Sequence, residues 1–267
     1  MIFLASVGCL LLAFAAVVLA GAAFGVRLTD ESMSDPWWDT VLSVVTVAAL
    51  LPAVLLGVLW ARGRRPGTVS SVVGRVRWRW LAECVGWAAL AMAPLLVVGI
   101  ATGELAGSVA PWTTLLPVML ALVLAVPLQA AAEEYLCRGW LVQAISSWTR
   151  AWWPAAVIGT VGFVLLHDYT DPLVIADLAV FSIAMCWLTV RTGGLEAAVA
   201  LHAMNNTVAF LILAVQGKPG LDQSGDYGVW EVLPGIVVTL AYTWWVGRRA
   251  GAAHSRRAGA TPETVAV

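Results

Sequence analysis

The chain has 267 residues, of which 61% are hydrophobic and 12% are charged, and its formal net charge at pH 7 is −1. Its mean hydropathy of +0.87 excludes an ordinary water-soluble domain of this size, and the near-neutral charge does not indicate nucleic-acid binding. Apolar runs long enough to cross a bilayer recur along nearly the whole chain. The sequence therefore predicts an all-α fold, a polytopic bundle of transmembrane helices.

About eight helices are expected, in a single integral-membrane domain covering residues 1–267. The predicted ranges are 2–25, 38–61, 81–102, 113–147, 152–167, 173–190, 194–215 and 231–247. The first range lacks the basic residues that precede a signal-peptide core, so we expect a retained transmembrane helix there. Pro117 and Pro127 predict a kink or a break in the fourth helix. Residues 250–267 are predicted to form a disordered cytoplasmic tail.

The basic residues are distributed unevenly between the two sides of this bundle. With eight helices, 13 of the 15 lysines and arginines fall on one side, whereas Arg27 and Lys218 fall on the other. Because short cytoplasmic loops are enriched in lysine and arginine, both termini are predicted to be cytoplasmic. The arginine-rich loop 62–79 is part of this asymmetry, and we do not interpret it as a nucleic-acid site. The alanine-, valine- and tryptophan-rich composition indicates a bacterial origin, and hence a multi-pass protein of the bacterial cell membrane.

A small set of polar residues interrupts the apolar spans at similar depth. The fourth, fifth and seventh predicted helices supply Glu133, Glu134, Arg138, His167, His202, Asn205 and Asn206. Ionisable residues within spans usually face the bundle interior or a water-filled cavity, and they are candidates for function. Counting about 1.5 Å per residue from the cytoplasmic helix ends, these groups lie roughly 12–22 Å into the membrane. The overlapping depths predict one shared site on three helices.

The spacing within each helix indicates which of these side chains can meet. Glu134 and Arg138 are four residues apart, so they share a helix face and can form an ion pair. Glu133 is turned by about 100° from Glu134 and can point elsewhere. His202 and Asn206 are also four residues apart and can present two side chains to one point.

These residue types suit hydrolysis of a peptide bond. A glutamate in an apolar pocket can act as a general base towards water, and a neighbouring histidine can hold that water or share its proton. A histidine and an asparagine on another helix can donate hydrogen bonds to an oxyanion. The same groups could instead bind zinc, through Glu133, His167 and His202, with water in an open position. No metal and no other cofactor is favoured.

Two interpretations without catalysis stay open at this point. The Glu134–Arg138 pair could serve packing alone, and His202 with Asn206 could form hydrogen bonds between helices. A non-catalytic immunity, scaffold or transport protein of the membrane could also use the same polar cluster for binding. Asp177, in the sixth predicted helix, receives no role from the sequence.

Three motifs, taken in order, resemble the CAAX-protease and bacteriocin-processing (CPBP) family of intramembrane proteases, which includes the type II CAAX prenyl endopeptidases. The pattern EExxxR covers residues 133–138, FxxxH covers 163–167 and HxxxN covers 202–206. Gly139 follows the first motif, as is usual in the family, whereas Cys137 stands where an aromatic residue is common. By this resemblance, residues 110–215 would form a CPBP-like catalytic core.

The resemblance implies an endopeptidase that cleaves a membrane protein or a hydrophobic peptide within the lipid bilayer. It implies that Glu133 activates water with assistance from His167, and that His202 and Asn206 stabilise the oxyanion. Glu134 and Arg138 would support the site. The family has been regarded both as metal-dependent and as a glutamate type without metal, and the glutamate type is favoured here. A bacterial origin makes prenylated CAAX substrates unexpected, and the sequence indicates no oligomeric state.

Overall fold

A computed structural model describes residues 36–60, 65–103, 111–167, 169–218 and 227–259. The helix predicted at 2–25 lies outside these residues. Within the described ranges the chain is helical, and the one isolated β-bridge joins Ser71 to Gly194. The helices are α1 (Pro36–Ala48), α2 (Leu50–Trp60), α3 (Gly67–Ser70), α4 (Trp78–Ala101), α5 (Trp112–Glu134), a π-helical segment (Tyr135–Val142), α6 (Gln143–Thr149), α7 (Trp152–Leu165), α8 (Pro172–Thr192), α9 (Glu196–Val215) and α10 (Val229–Gly259). The predicted all-α fold is confirmed.

Six of these stretches are long and apolar enough to cross a membrane. They are Pro36–Trp60, Trp78–Ala101, Leu115–Thr149, Pro172–Thr192, Glu196–Val215 and Val229–Ala250. Helix α7 is apolar but shorter. The chain is therefore a multi-pass integral membrane protein. Helix α10 continues to Gly259, so it overlaps the first part of the segment predicted as a disordered tail, and residues 260–267 lie outside the described residues.

The prolines of α5 do not break the helix. It runs without interruption through Pro117 and Pro127, and the departure from α-helical geometry comes later, at Tyr135–Val142. A proline within a membrane span is tolerated where neighbouring helices, side chains or local adjustments satisfy the freed carbonyl groups. Of the predicted kink or break, a break is therefore not observed at either proline, and the irregular turn coincides instead with the first motif. Short π-helical turns occur frequently at functional sites.

Helix α9 occupies the centre of the bundle, where it packs against α4, α5 and α8. Its first turns carry Ala197, Ala198 and Ala200, which are all buried. Small residues at such positions let neighbouring helix backbones approach closely in a membrane, where apolar burial alone does not drive association. The third motif lies on α9, so this close packing brings it beside α5, whose end carries the start of the first motif.

The segment between α2 and α4 is attached to the beginning of α9. The backbone N–H of Leu195 donates to the carbonyl of Ser70 at 2.9 Å. Nε and Nη2 of Arg77 donate to the two carboxylate oxygens of Glu196 at 2.9 and 2.6 Å. Arg77 and the nearly buried Glu196 thus form a bidentate ion pair. This pair fixes both the orientation of the segment and its distance from the start of α9.

Gly139 explains why the same segment can also lie against the π-helical turn. A Cβ atom at this position would come within 2.5 Å of Cγ1 of Val69 and within 3.1 Å of Cδ1 of Leu195. Only a residue without a side chain lets the three elements meet at this spacing. The glycine after the first motif is thus a packing requirement that holds the motif against the start of α9.

Candidate active site

The three motifs meet inside the bundle. The first motif spans the end of α5 and the π-helical turn, the second ends just after α7, and the third begins in the second turn of α9. Glu134, Arg138 and His202 are each at most 2% exposed, whereas Glu133 and His167 are partly exposed. The structure therefore separates a buried layer of the site from a layer that faces a cavity.

His202 lies between the two adjacent glutamates. Its Nδ1 atom is 2.8 Å from Oε1 of Glu134, and its Nε2 atom is 3.5 Å from Oε2 of Glu133. The ring is enclosed edge-to-face by Phe163 and Phe181, with centroid distances of 6.1 and 5.2 Å. Because Glu134 is paired with a cation and accepts hydrogen bonds, the Nδ1 atom of His202 is the donor of this contact.

Arg138 forms the buried layer beneath His202. Its Nη1 atom donates to Oε1 of Glu134 at 2.8 Å, as the spacing of the two residues predicted. Its Nη2 atom donates to the hydroxyl and the carbonyl of Ser182 at 2.9 and 3.2 Å, and its guanidinium lies 4.7 Å from the ring centroid of Phe163. Thr160 donates to the same serine hydroxyl. Several partners therefore compensate for burying the charge.

Glu133 faces the cavity with one carboxylate oxygen held and the other left unsatisfied. Its Oε1 atom accepts a hydrogen bond from the side-chain amide of Gln129. Its Oε2 atom is buried and accepts no hydrogen bond from any described residue. The Nε2 atom of His167 lies 4.0 Å from this oxygen, and that of His202 lies 3.5 Å from it. Polar atoms separated in this way are commonly bridged by a water molecule.

His167 is positioned by the end of α7. The predicted helix reached residue 167, but α7 ends at Leu165 and His167 lies in the turn that follows. Its Nδ1 atom is 2.7 Å from the carbonyl of Phe163, one of the carbonyls left over at a helix end. A carbonyl only accepts, so Nδ1 donates this hydrogen bond, and Nε2 on the other side of the ring faces Glu133.

Gln129 is a site residue that the sequence analysis missed. Besides donating to Glu133, it accepts a hydrogen bond from Nδ2 of Asn206 at 3.2 Å through its own Oε1. It thus links the first motif to the third. Its spacing to Glu133, one helical turn earlier on α5, was the signal available in the sequence. Asn205 donates to Oδ1 of Asn206 at 3.3 Å and completes this row of amides.

A cavity of about 510 Å³ opens in front of these groups. Glu133, His167, His202, Asn205 and Asn206 all line it, together with aliphatic and aromatic side chains from five helices. A largely apolar cavity with a few convergent polar groups has the composition expected of a ligand site. Asp177, whose role could not be predicted, lines the same cavity.

Three side chains of the site are of types that can bind a metal ion. Over the part of the chain that the structure describes, no three histidine, cysteine, aspartate or glutamate side chains have the arrangement of a metal-binding group. Glu133, His167 and His202, the residues named for zinc, are not among such groups, and a zinc site formed by them stays a prediction. We therefore derive no step of the reaction through a metal ion.

Comparisons with known proteins agree with the motifs. Residues 111–208 match the family described as type II CAAX prenyl endopeptidase Rce1-like. The chain is also 26% identical over 236 residues to the uncharacterized protein YyaK of Bacillus subtilis (strain 168). The aligned region covers 80% of this chain and 77% of YyaK. No solved structure matches significantly. The matched segment contains all three motifs, so it is similar to the family that the motifs themselves resemble.

Proposed function

We propose that this protein is an intramembrane endopeptidase in which Glu133 activates the water that hydrolyses a peptide bond. The observation that carries the proposal is the buried Oε2 atom of Glu133, which accepts no hydrogen bond from the described residues. Two imidazole Nε2 atoms face it at 3.5 and 4.0 Å, at the edge of a cavity. A carboxylate kept unsatisfied beside two imidazoles suits a general base better than a structural ion pair.

The reacting water would lie between Glu133 and His167. Both Oε2 of Glu133 and Nε2 of His167 accept hydrogen bonds, so together they can receive both protons of one water molecule. This arrangement leaves the lone pairs of the water oxygen free to attack a carbonyl carbon. The hydrogen bond from Gln129 to the other oxygen of Glu133 would hold the carboxylate in this orientation.

The developing oxyanion would be stabilised from α9. Asn206 uses one N–H of its amide for Gln129, which leaves the second for a substrate oxygen. His202 already donates through Nδ1 to Glu134, so donation from Nε2 requires a ring protonated at both nitrogens.

The reaction then proceeds in two balanced steps. In the first, Glu133 takes a proton from water while the water oxygen bonds to the peptide carbonyl carbon, giving a tetrahedral oxyanion held by Asn206 and His202. In the second, Glu133 gives that proton to the amide nitrogen as the C–N bond breaks. The products are a carboxylic acid and an amine, and no covalent bond to the protein forms.

The cavity favours a hydrophobic substrate within the membrane. Its walls are largely aliphatic and aromatic, and the helices that form them are spans, apart from the shorter helix α7. A segment of a membrane protein or a hydrophobic peptide can occupy such a cavity without exposing apolar surface to water. A zinc-dependent reaction is the alternative within the same class of enzyme. Stoichiometric zinc in the purified protein, lost on His167→Ala, would favour it over the metal-free reaction.

We also propose that both termini lie in the cytoplasm, on the basis of the basic residues. Arg75, Arg77 and Arg79 lie beside the start of α9, at the end of the bundle where α8 finishes with Arg191. Lysine and arginine collect on the cytoplasmic side of membrane proteins. A fluorescent protein that folds only in the cytoplasm, fused after residue 267, should fluoresce. A fusion protein that is present at normal abundance but does not fluoresce would indicate the opposite orientation.

The activity can be tested by comparing protein termini in membranes from cells that express wild-type protein or Glu133→Gln at equal levels. Glu83→Gln is a matched control, because Glu83 is an exposed glutamate on the spanning helix α4. New termini that occur with wild type and Glu83→Gln, but not with Glu133→Gln, are expected. If the three membranes carry the same termini although all variants are folded, the polar cluster serves binding and the protein is not a protease.

A further inference from the structure

Asp177 is a carboxylate within a spanning helix that the proposed reaction does not use. It lies near the start of α8, is half-buried and lines the same cavity as Glu133. No described residue donates a hydrogen bond to it or forms an ion pair with it. An ionisable group inside a membrane protein is expensive unless it has a partner or serves a function. Packing therefore does not account for the carboxylate of Asp177.

The charge balance of the cavity indicates what the missing partner is. The cavity walls contain two acidic residues, Glu133 and Asp177, and no lysine or arginine among the described lining residues. The nearest cation on the first motif, Arg138, is buried and paired with Glu134 behind the cavity wall. The cavity is therefore complementary to a positive charge, which would pair with Asp177 in surroundings of low dielectric.

The space in front of Asp177 is open to such a group. Gly235 of α10 faces it, and a Cβ atom added there would lie 3.9 Å from each carboxylate oxygen. A glycine at this position leaves the carboxylate uncovered by α10, where a larger side chain would cover it. Thr239, one turn further along α10, lines the cavity as well.

The distance from Asp177 to the reacting groups matches the spacing between nearby residues of one bound peptide. Asp177 is four residues before Phe181, so both side chains share one face of α8 and are about 6 Å apart along the helix. The ring centroid of Phe181 is 5.2 Å from that of His202. An extended peptide advances about 3.3 Å per residue, so over these two distances the position facing Asp177 is about two to three residues from the bond to be cut.

We propose that Asp177 is a specificity-determining residue that binds a lysine or arginine side chain of the substrate, about two to three residues from the scissile bond. This inference rests on the proposed endopeptidase function. A hydrophobic segment carrying a single cation would place its apolar residues against the aromatic walls and its charge on Asp177. The pair would form only in the complex, so it would select among membrane segments of similar hydrophobicity.

The test uses the full-length protein and the termini that depend on Glu133. Lysine or arginine should recur at one fixed position near these cleavage sites. For a peptide containing such a site, Asp177→Asn in lipid nanodiscs should lower kcat/KM by about tenfold or more. Replacing the basic residue by norleucine should lower the wild-type value similarly and leave the Asp177→Asn value unchanged. Glu231→Gln, which removes an exposed charge of α10 outside the cavity, is the matched control.

The outcomes separate this inference from the function on which it rests. Glu133-dependent cleavage without a basic residue at a fixed position, or equal kcat/KM values for wild type and Asp177→Asn, would overturn the role of Asp177 alone. Membranes without any Glu133-dependent terminus would overturn the protease and the specificity residue together. Restored cleavage of a substrate carrying glutamate at that position by Asp177→Lys would establish direct contact.

Discussion

The Nδ1 atom of His202 lies 2.8 Å from Oε1 of Glu134, although the two residues are 68 positions apart in the chain. The same carboxylate oxygen accepts a hydrogen bond from Arg138, so one atom joins the first motif, the third motif and the buried guanidinium. This contact makes Glu134 the residue on which the geometry of the site depends, whereas its neighbour Glu133 faces the cavity. The two glutamates should therefore differ in what their removal does.

Glu134→Gln should destabilise the protein, because it leaves the buried Arg138 without a counterion. Removing one partner of a buried ion pair typically costs about 3–5 kcal/mol. We expect a clear fall in the unfolding temperature in detergent, whereas Glu133→Gln should unfold close to wild type. A double variant with Glu134→Gln and Arg138→Met should regain part of the stability without regaining cleavage. Equal stability of the two single variants would contradict this division between them.

Gln129→Ala should lower turnover more than substrate binding, because both side-chain hydrogen bonds of Gln129 go to the groups that act on the substrate, Glu133 and Asn206. Misplacement of a catalytic group by about 1 Å can lower the rate about a hundredfold. We expect kcat to fall about tenfold to a hundredfold with little change in KM. Ser43→Ala, at another polar side chain of the cavity wall, is the comparison. If Gln129→Ala and Ser43→Ala have equal kcat values, Gln129 is not a positioning residue.

Gly139→Ala should destabilise the contact between the π-helical turn and the segment that carries Val69. The added Cβ atom would lie 2.5 Å from Cγ1 of Val69, which is closer than packed atoms allow. Overpacking of this kind typically costs about 1–3 kcal/mol. Adding Val69→Ala removes the obstructing methyl groups, so the double variant should be more stable than Gly139→Ala alone. Thermal unfolding of the three proteins measures this, and additive losses would contradict the contact.

Asp171, which precedes α8, makes the stability of the fold depend on pH. Its Oδ1 atom accepts hydrogen bonds from the backbone N–H groups of Leu173 and Val174, and its Oδ2 atom accepts one from Tyr227. The hydrogen bonds from Val174, Tyr227 and Leu173 lower the pKa of Asp171 below its usual value. A lowered pKa stabilises the fold above the unfolded-state value of about 3.9, and this contribution is lost as the pH falls through the folded-state value.

The corresponding measurement compares unfolding temperatures of wild type and Asp171→Ala. The wild type should be more stable at pH 6, where Asp171 is ionised, and the difference should shrink as the pH falls towards 3. Asp39→Ala is a control on another helix, α1. A difference that does not change between these pH values would show that the hydrogen bonds of Asp171 do not depend on its charge.

The fold was predictable because membrane spans leave a strong signal. Each crossing needs about 20 apolar residues, so the ranges from 38–61 onward matched helices although their ends shifted. The pairing of Glu134 with Arg138 followed from their spacing alone. Pro117 and Pro127 predicted a kink or a break, and the helix is continuous through both, since surrounding groups in the bundle can satisfy the carbonyls that a proline leaves free.

Contacts between distant segments were not predictable from local patterns. In the sequence, Gln129 is an amide within an apolar run and shows no link to Asn206. Only the packing of α9 brings Asn206 beside it. The attachment of Ser70 to Leu195 depends on loop geometry that has no periodic signal. Asp177 was visible as a charge within a span, but its position on the cavity required the packing of α8 against α10. Side-chain periodicity reports which face is apolar, but it does not identify the element that covers that face.

The most direct test of the central claim is the cleavage rate of a peptide, identified from the Glu133-dependent termini, by purified wild type and Glu133→Gln. The measurement should be made at saturating enzyme in a chelating buffer, with equal unfolding temperatures as the control for folding. A general base contributes about 10²–10⁴-fold to a rate. We expect wild type to remain active in chelator and Glu133→Gln to lose at least about a hundredfold. Equal rates for the two proteins would contradict the role of Glu133, and a wild type inactivated by chelator but restored by zinc would contradict the metal-free reaction.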